Sequence, residues 1–202
     1  MSVIERSSGD GRLPASYFDR LYAGARDPWR FESSRYEQDK YAATLAALGP
    51  PERRFARAFE AGCSIGVFTR QLAARCDDLL AVDLSPLAVE RARERLGGQP
   101  HVRVERRALP EELPEGPLDL VVCSEVLYYW TAELLSRAMD DLAGLIAPGG
   151  SLVAVHWRPQ TRDYPQLGDA VHERLAEGLG AFAHSLSATE PQYRLDRWDR
   201  PA

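Results

Sequence analysis

The stretch of this sequence richest in chemistry is Glu60-Ala-Gly-Cys-Ser-Ile-Gly66. It joins a short apolar run, Phe55 to Glu60, to a helix-like run, Val67 to Cys76. A glycine turn in that place lets a ligand approach the backbone, and the helix start beyond it offers unpaired N–H groups. Asp83 stands 21 residues after Gly62, at the end of a second apolar run, Leu79 to Asp83. A carboxylate there can accept both hydroxyls of a ribose. Turn and acid together predict a ligand that contains a nucleoside.

Two templates share that logic. A dinucleotide turn needs Gly-x-Gly-x-x-Gly, and counting from Gly62 finds Ser64 and Val67 in place of two glycines. A methyltransferase turn needs an acid two residues before Gly-x-Gly-x-Gly. Glu60, Gly62 and Gly66 match it, with Ser64 for the middle glycine. The second template fits better.

The elements that must position these residues follow from periodicity. Arg35 to Leu48 reads as a helix with Tyr41, Thr44, Leu45 and Leu48 on one face, stopped by Gly49-Pro50-Pro51. Ser85-Pro86 starts a helix that runs to about Leu96, with serine as cap and proline in the first turn. Val102 to Arg106, Leu118 to Cys123 and Ser151 to His156 read as strands, and Thr131 to Ile146 as a helix ended by Pro148-Gly149-Gly150. Strands alternating with helices predict a parallel sheet covered on both faces. Residues 166–180 then look helical, and Ala181 to Ala188 with Gln192 to Trp198 form a hairpin-like pair, which puts an antiparallel strand at or near the edge. Residues 1–13 are polar and rich in glycine and serine, and are expected to be loose.

Composition narrows the function classes. The chain has 202 residues and is 45% hydrophobic, which suits one domain with one sizeable core. Its 25 basic groups, of which Lys40 is the only lysine, stand against 30 acidic ones for a net charge of −5. No region forms the basic field of a nucleic-acid binder. The longest uncharged stretch, Leu142 to Trp157, is 16 residues long and holds Pro148-Gly149-Gly150, too short and broken to span a bilayer as a helix. Residues 1–20 show no basic start followed by an apolar run, so no secretion signal is expected. Cys63, Cys76 and Cys123 lack metal-ligand spacing, which favours reduced thiols in the cytoplasm over a disulfide frame or metal site.

Three further stretches extend the pattern: Pro28-Trp-Arg-Phe-Glu-Ser-Ser-Arg-Tyr-Glu-Gln-Asp-Lys40, Leu80-Ala-Val-Asp-Leu-Ser-Pro-Leu-Ala88, and Ser124-Glu-Val-Leu-Tyr-Tyr-Trp130 with Leu145-Ile-Ala-Pro-Gly-Gly-Ser-Leu-Val153 downstream. With them the chain resembles the class I S-adenosylmethionine-dependent methyltransferases, and among these the nodulation protein S family of N-methyltransferases. The resemblance covers residues 28 to about 153. It implies a Rossmann-like, doubly wound, mostly parallel seven-stranded α/β sheet with an antiparallel C-terminal strand. Residues 17–48 would be a helical lid and 53–202 the core. It also implies that Glu60, Gly62, Cys63 and Gly66 line the methionine part of the cofactor, Asp83 holds the ribose and Leu84 meets the adenine. Glu125 would face the reactive end, with Trp29 and Tyr36 over the pocket. Arg106-Arg107-Ala108-Leu109 lacks the acid that many relatives place near adenine, so recognition there is expected from backbone groups around Ala108. The stretch from His156 to Pro165 does not match the nodulation enzyme, and the substrate is expected to differ accordingly.

The implied chemistry is methyl transfer to an amine of a small molecule or saccharide. Such a displacement needs positioning and a group to take the amine's proton. Glu125, Tyr128 and His156, all expected at the carboxyl ends of the fourth and fifth strands, are the candidates. Each has a structural alternative. The tyrosine is equally suited to packing, the histidine to a hydrogen bond inside the core. O-methylation of a small metabolite shares every cofactor feature, and a non-catalytic cofactor-binding module shares the pocket.

Overall fold

The computed structural model describes residues 11–202. The sheet has seven strands: β1 (Ala58–Ala61), β2 (Leu79–Asp83), β3 (Val102–Arg106), β4 (Leu118–Ser124), β5 (Ile146–Trp157), β6 (Ala183–Thr189) and β7 (Tyr193–Asp199). Their order is β3-β2-β1-β4-β5-β7-β6. Strands β1 to β5 run parallel, while β7 lies antiparallel between β5 and β6. The hairpin expected at the C-terminal end is therefore present, with its second strand inserted inside the edge.

Among the described residues six α-helices accompany them: α1 (Ala15–Gly24), α2 (Arg35–Ala47), α3 (Val67–Ala73), α4 (Pro86–Leu96), α5 (Ala132–Leu145) and α6 (Gly168–Gly178). Alternation along the strands sorts the core into layers. Phe59, Val121, Cys123, Leu152 and Ala154 pack with Leu135, Ala138 and Leu142 of α5 and Val171 of α6. Their neighbours Ala58, Leu120, Val122, Val153 and Val155 pack with Tyr41 of α2 and Phe68 and Leu72 of α3. Strands buried on both faces read as near-continuous apolar runs, which is why LDLVVC and SLVAVH stand out.

The order places β1 between β2 and β4, so successive crossovers leave β1 in opposite directions. Ligands of open α/β sheets bind at that switch point, outside the carboxyl ends of the strands. The N-terminal segment covers the same end. Gly11 and Leu13 exchange hydrogen bonds with Thr131 and Tyr129, at 2.6 and 2.9 Å. Of the expected loose start, residues 1–10 lie outside the described residues, while 11–13 are tied down. The expected helical lid is interrupted: residues 25–34, Trp29 among them, form a loop between α1 and α2.

Candidate functional site

A cavity of about 360 Å³ opens at the switch point. Its floor is the turn after β1. Gly62 and Gly66 both take the left-handed conformation, at φ +75° and +76°, which a side chain makes costly. A Cβ on Gly62 would also stand 3.0 Å from that of Val126, across the crevice between β1 and β4. Ser64, in the middle position, is left-handed too, at φ +50°. Its N–H donates to Asp83 Oδ2 at 2.9 Å, and its hydroxyl meets Tyr22 OH of α1 at 2.6 Å. The missing glycine is thus replaced by a residue whose polar groups help hold its strained backbone.

Asp83 ends β2 and also accepts from Ser85 N–H, at 2.9 Å through Oδ1. Desolvation raises its carboxyl to about 6, against the pull of the backbone donors. Glu60, 2% exposed, is pushed by burial to about 7, with Thr69 opposing. Its Oε2 has no hydrogen-bond partner among the described residues, and neither has the buried OH of Tyr36.

The other wall comes from β4, β5 and α2. Glu125 follows β4 at φ +55°. Its Oε1 is ion-paired with Lys40 of α2. Its Oε2 accepts from Tyr128 OH at 2.6 Å and from Trp157 N–H at 2.9 Å. Tyr128 stacks on Tyr164, with centroids 4.6 Å apart, and burial pushes its phenol well above its ordinary value. Trp29 stands edge-on to Tyr22 and is stacked on Phe31.

Of the residues singled out from sequence, Trp29, Tyr36, Glu60, Gly62, Cys63, Asp83, Leu84, Glu125 and Tyr128 line this cavity. Gly66 does not: a Cβ there would sit 3.1 Å from Ala92 Cα, so its role is to let the turn pack on α4. His156 does not either. Leu127 N–H donates to its Nε2 at 3.1 Å, and its Nδ1 lies 3.0 Å from Nε2 of His172. Both ring nitrogens are engaged inside the core, and burial holds its pKa well below the usual range, so it is not placed to take a substrate's proton. The Ala108 N–H is likewise engaged, by Glu112 Oε2 at 2.5 Å. Arg107 and Leu109 reach the cavity instead.

Sequence reasoning missed Glu37 and Lys40 as members of the wall, along with Trp157 and Tyr164. A signal existed for Lys40, the one lysine of an arginine-rich chain. Among the described residues no cluster of three or more His, Cys, Asp or Glu could hold a metal ion. No helix there is long and apolar enough to cross a membrane.

The chain is similar to proteins of known family. The family model described as Nodulation protein S (NodS) matches residues 19–163. The Nodulation protein S of Bradyrhizobium diazoefficiens is 35% identical over 179 residues, covering 83% of this chain and 78% of that one. The solved N-methyltransferase NodS of Bradyrhizobium japonicum WM9, in complex with S-adenosyl-L-homocysteine, superposes with a TM-score of 0.81 at 26% identity, covering 93% of this chain and 98% of that one. A solved chain from Pseudomonas syringae is 41% identical with a TM-score of 0.72, covering 83% and 100%. With its glycine turn, the acid that ends β2 and an aromatic crevice at the switch point, the chain belongs to the nodulation protein S family of methyltransferases.

Proposed function

We propose that this protein transfers the methyl group of S-adenosylmethionine to an amine nitrogen of a small molecule or amino sugar. The chain is an S-adenosylmethionine-dependent methyltransferase by its family; the nitrogen acceptor is the further step. The residues present fit the cofactor. The left-handed Gly62 leaves room between β1 and β4 that a Cβ would fill. Asp83 keeps acceptor capacity beyond the N–H groups of Ser64, Leu84 and Ser85, and Glu60 Oε2 is, among the described residues, a buried acceptor without a donor. Buried polar atoms are seldom left so, and ribose hydroxyls and an ammonium are donors of the required kind. Asp83 and Leu84 would hold the nucleoside, and Glu60, Gly62 and Cys63 the amino-acid part. When bound, the cofactor supplies a methyl carbon made electrophilic by its sulfonium.

The observation that carries the nitrogen reading is the Glu125–Tyr128 pair on the cavity wall. An amine must shed a proton to attack. Tyr128 donates its own hydrogen to Glu125, which leaves its oxygen able to accept from an N–H. The surrounding rings of Tyr36, Trp157 and Tyr164 favour a cation by about 0.5–2 kcal/mol, and an amine arrives as one. The N-methyltransferase activity of the superposed Bradyrhizobium japonicum enzyme supports the same acceptor atom.

The test is transfer of a labelled methyl group to a panel of amino sugars, simple amines and matched hydroxyl compounds. N-methylated products are expected, and labelling of the hydroxyl compounds alone would overturn the reading. In parallel, Asp83→Asn should weaken S-adenosylhomocysteine binding by about 1.5–3 kcal/mol, since it removes a charged acceptor. Unchanged affinity by calorimetry would mean that the nucleoside lies elsewhere.

A further inference from the structure

Lys40 has no part in the chemistry so far, yet its placement is costly. It is 1% exposed, and burying an ammonium costs several kcal/mol unless partners compensate. Two carboxylates do so from different elements. Glu37, one turn earlier on α2, brings its Oε2 to 2.9 Å from Nζ, and Glu125 reaches it from the end of β4. The ring of Tyr36 lies 5.1 Å from the same nitrogen. A compact ammonium can serve partners from separate directions, whereas a guanidinium favours carboxylates in its own plane. This gives a physical reason for one lysine in a chain that otherwise uses arginine throughout.

The partner explains what the ammonium is for. Glu125 sits in a left-handed conformation that is strained for a residue with a side chain and persists only when its surroundings over-determine it. Trp157 N–H and Tyr128 OH both hold Oε2. Among the described residues Lys40 alone is seen to hold Oε1. We propose that Lys40 is a positioning residue. Its ammonium, shared by Glu37 and Glu125, clamps Glu125 Oε1, so that Oε2 stays turned to Tyr128 and the pair meets the acceptor nitrogen in one orientation. The proposal rests on the amine reading above. In the step it serves, an ammonium N–H passes its proton to the Tyr128 oxygen as the phenol's own proton passes to Glu125 Oε2. The acceptor is then a neutral amine and Glu125 a neutral acid, which later returns the proton to solvent.

The single lysine makes the contact directly observable, because ¹³Cε-lysine labelling yields one side-chain resonance. The ammonium meets Tyr36 and Glu37 on α2 and Glu125 beyond β4, and its charge also acts through space on His156 of β5 and Tyr193 of β7. Burial works against the charged form, and Glu125 and Glu37 outweigh it. The wild-type resonance should therefore remain that of an ammonium through pH 10.5, and Glu125→Gln should lower its midpoint. A midpoint below 10.5 in the wild type, or one unmoved by Glu125→Gln, overturns the clamp.

Activity supplies the second arm. Lys40→Met is expected to lower kcat at least about tenfold, with KM for the amine and the S-adenosylhomocysteine Kd each within about threefold. Lys40→Arg, which keeps the charge, should recover at least about threefold of that loss. An unchanged kcat in Lys40→Met, or equal loss in both variants, overturns the proposal. If Lys40→Met does not fold, Glu37→Gln/Lys40→Met removes one of the carboxylates left unpaired and takes its place. If the wild type methylates no amine, the acceptor reading fails, while the lysine resonance still decides whether the clamp exists.

Discussion

At the scale of single residues the site is a set of carboxylates in unequal surroundings. Glu125 is met by an ammonium, a phenol and a backbone amide. Glu60 is not, and burial leaves it at about 7 against an ordinary value of 4.5. A carboxyl raised on folding contributes stability that is complete below its unfolded value and lost as pH rises through the folded one. Glu60 therefore destabilises the ligand-free protein progressively above pH 4.5. Glu60→Gln should gain on the wild type by about 2–3 kcal/mol between about pH 4 and about pH 8. Thermal unfolding of both across that range checks it, and parallel curves would mean that Glu60 is not desolvated as described. Binding of S-adenosylhomocysteine to the wild type should tighten over the same window as Glu60 and Asp83 ionise, and less so in the variant. A group that weakens the empty protein and strengthens the loaded one is characteristic of a binding site.

At the scale of elements, the glycine turn divides its labour between neighbours of the same type. Gly62 faces the crevice, and Gly66 faces α4. The family resemblance implied that both line the cofactor, because a motif records where glycines stand and not which way the backbone turns. Gly66→Ala should lower stability by about 1–3 kcal/mol, from left-handed strain and contact with Ala92. Its S-adenosylhomocysteine affinity, measured on the folded fraction, should stay within about threefold. A stable variant that fails to bind would return Gly66 to the cavity. The strands themselves were legible: β2 and β3 fall on the expected residues, and β4 differs by one. Fully buried strands announce themselves as unbroken apolar runs. Strand β1 is shorter than expected, since Phe55 forms only an isolated bridge with Cys76 before the sheet begins.

At the scale of the molecule, three of the four histidines converge far from one another in sequence. Leu127 N–H, a donor, fixes His156 Nε2 as an acceptor, so Nδ1 carries the hydrogen toward His172. His172 Nδ1 in turn lies 2.6 Å from Asp196 Oδ2, and His184 stands 3.0 Å from Oδ1. This relay joins β5, α6 and β7 to the 3-10 turn Leu127–Tyr129, which carries Tyr128. His172→Phe leaves His156 Nδ1–H without its partner, while Asp196 keeps Arg194 and His184, and it should cost about 1–3 kcal/mol on the basis of one unsatisfied buried group. S-adenosylhomocysteine affinity should change by less than about threefold, since none of the three histidines lines the cavity. Chemical denaturation with calorimetry on the same variant separates the two effects.

Periodicity, turn residues and the spacing of Glu60, Gly62 and Asp83 determined by themselves the alternating α/β order and the nucleoside-type turn. These are local properties, written in residues within one strand–turn–helix unit of each other. What Lys40, Glu37 and His156 do could only be decided by the tertiary structure. Lys40 meets Glu125 across 85 positions of chain, and Tyr128 shares one carboxylate with a β5 amide. Whether a polar side chain faces a ligand or a partner depends on which strand lies beside which. The inserted β7 and the N-terminal helices settled that through long-range burial, where neighbours in space are not neighbours in sequence.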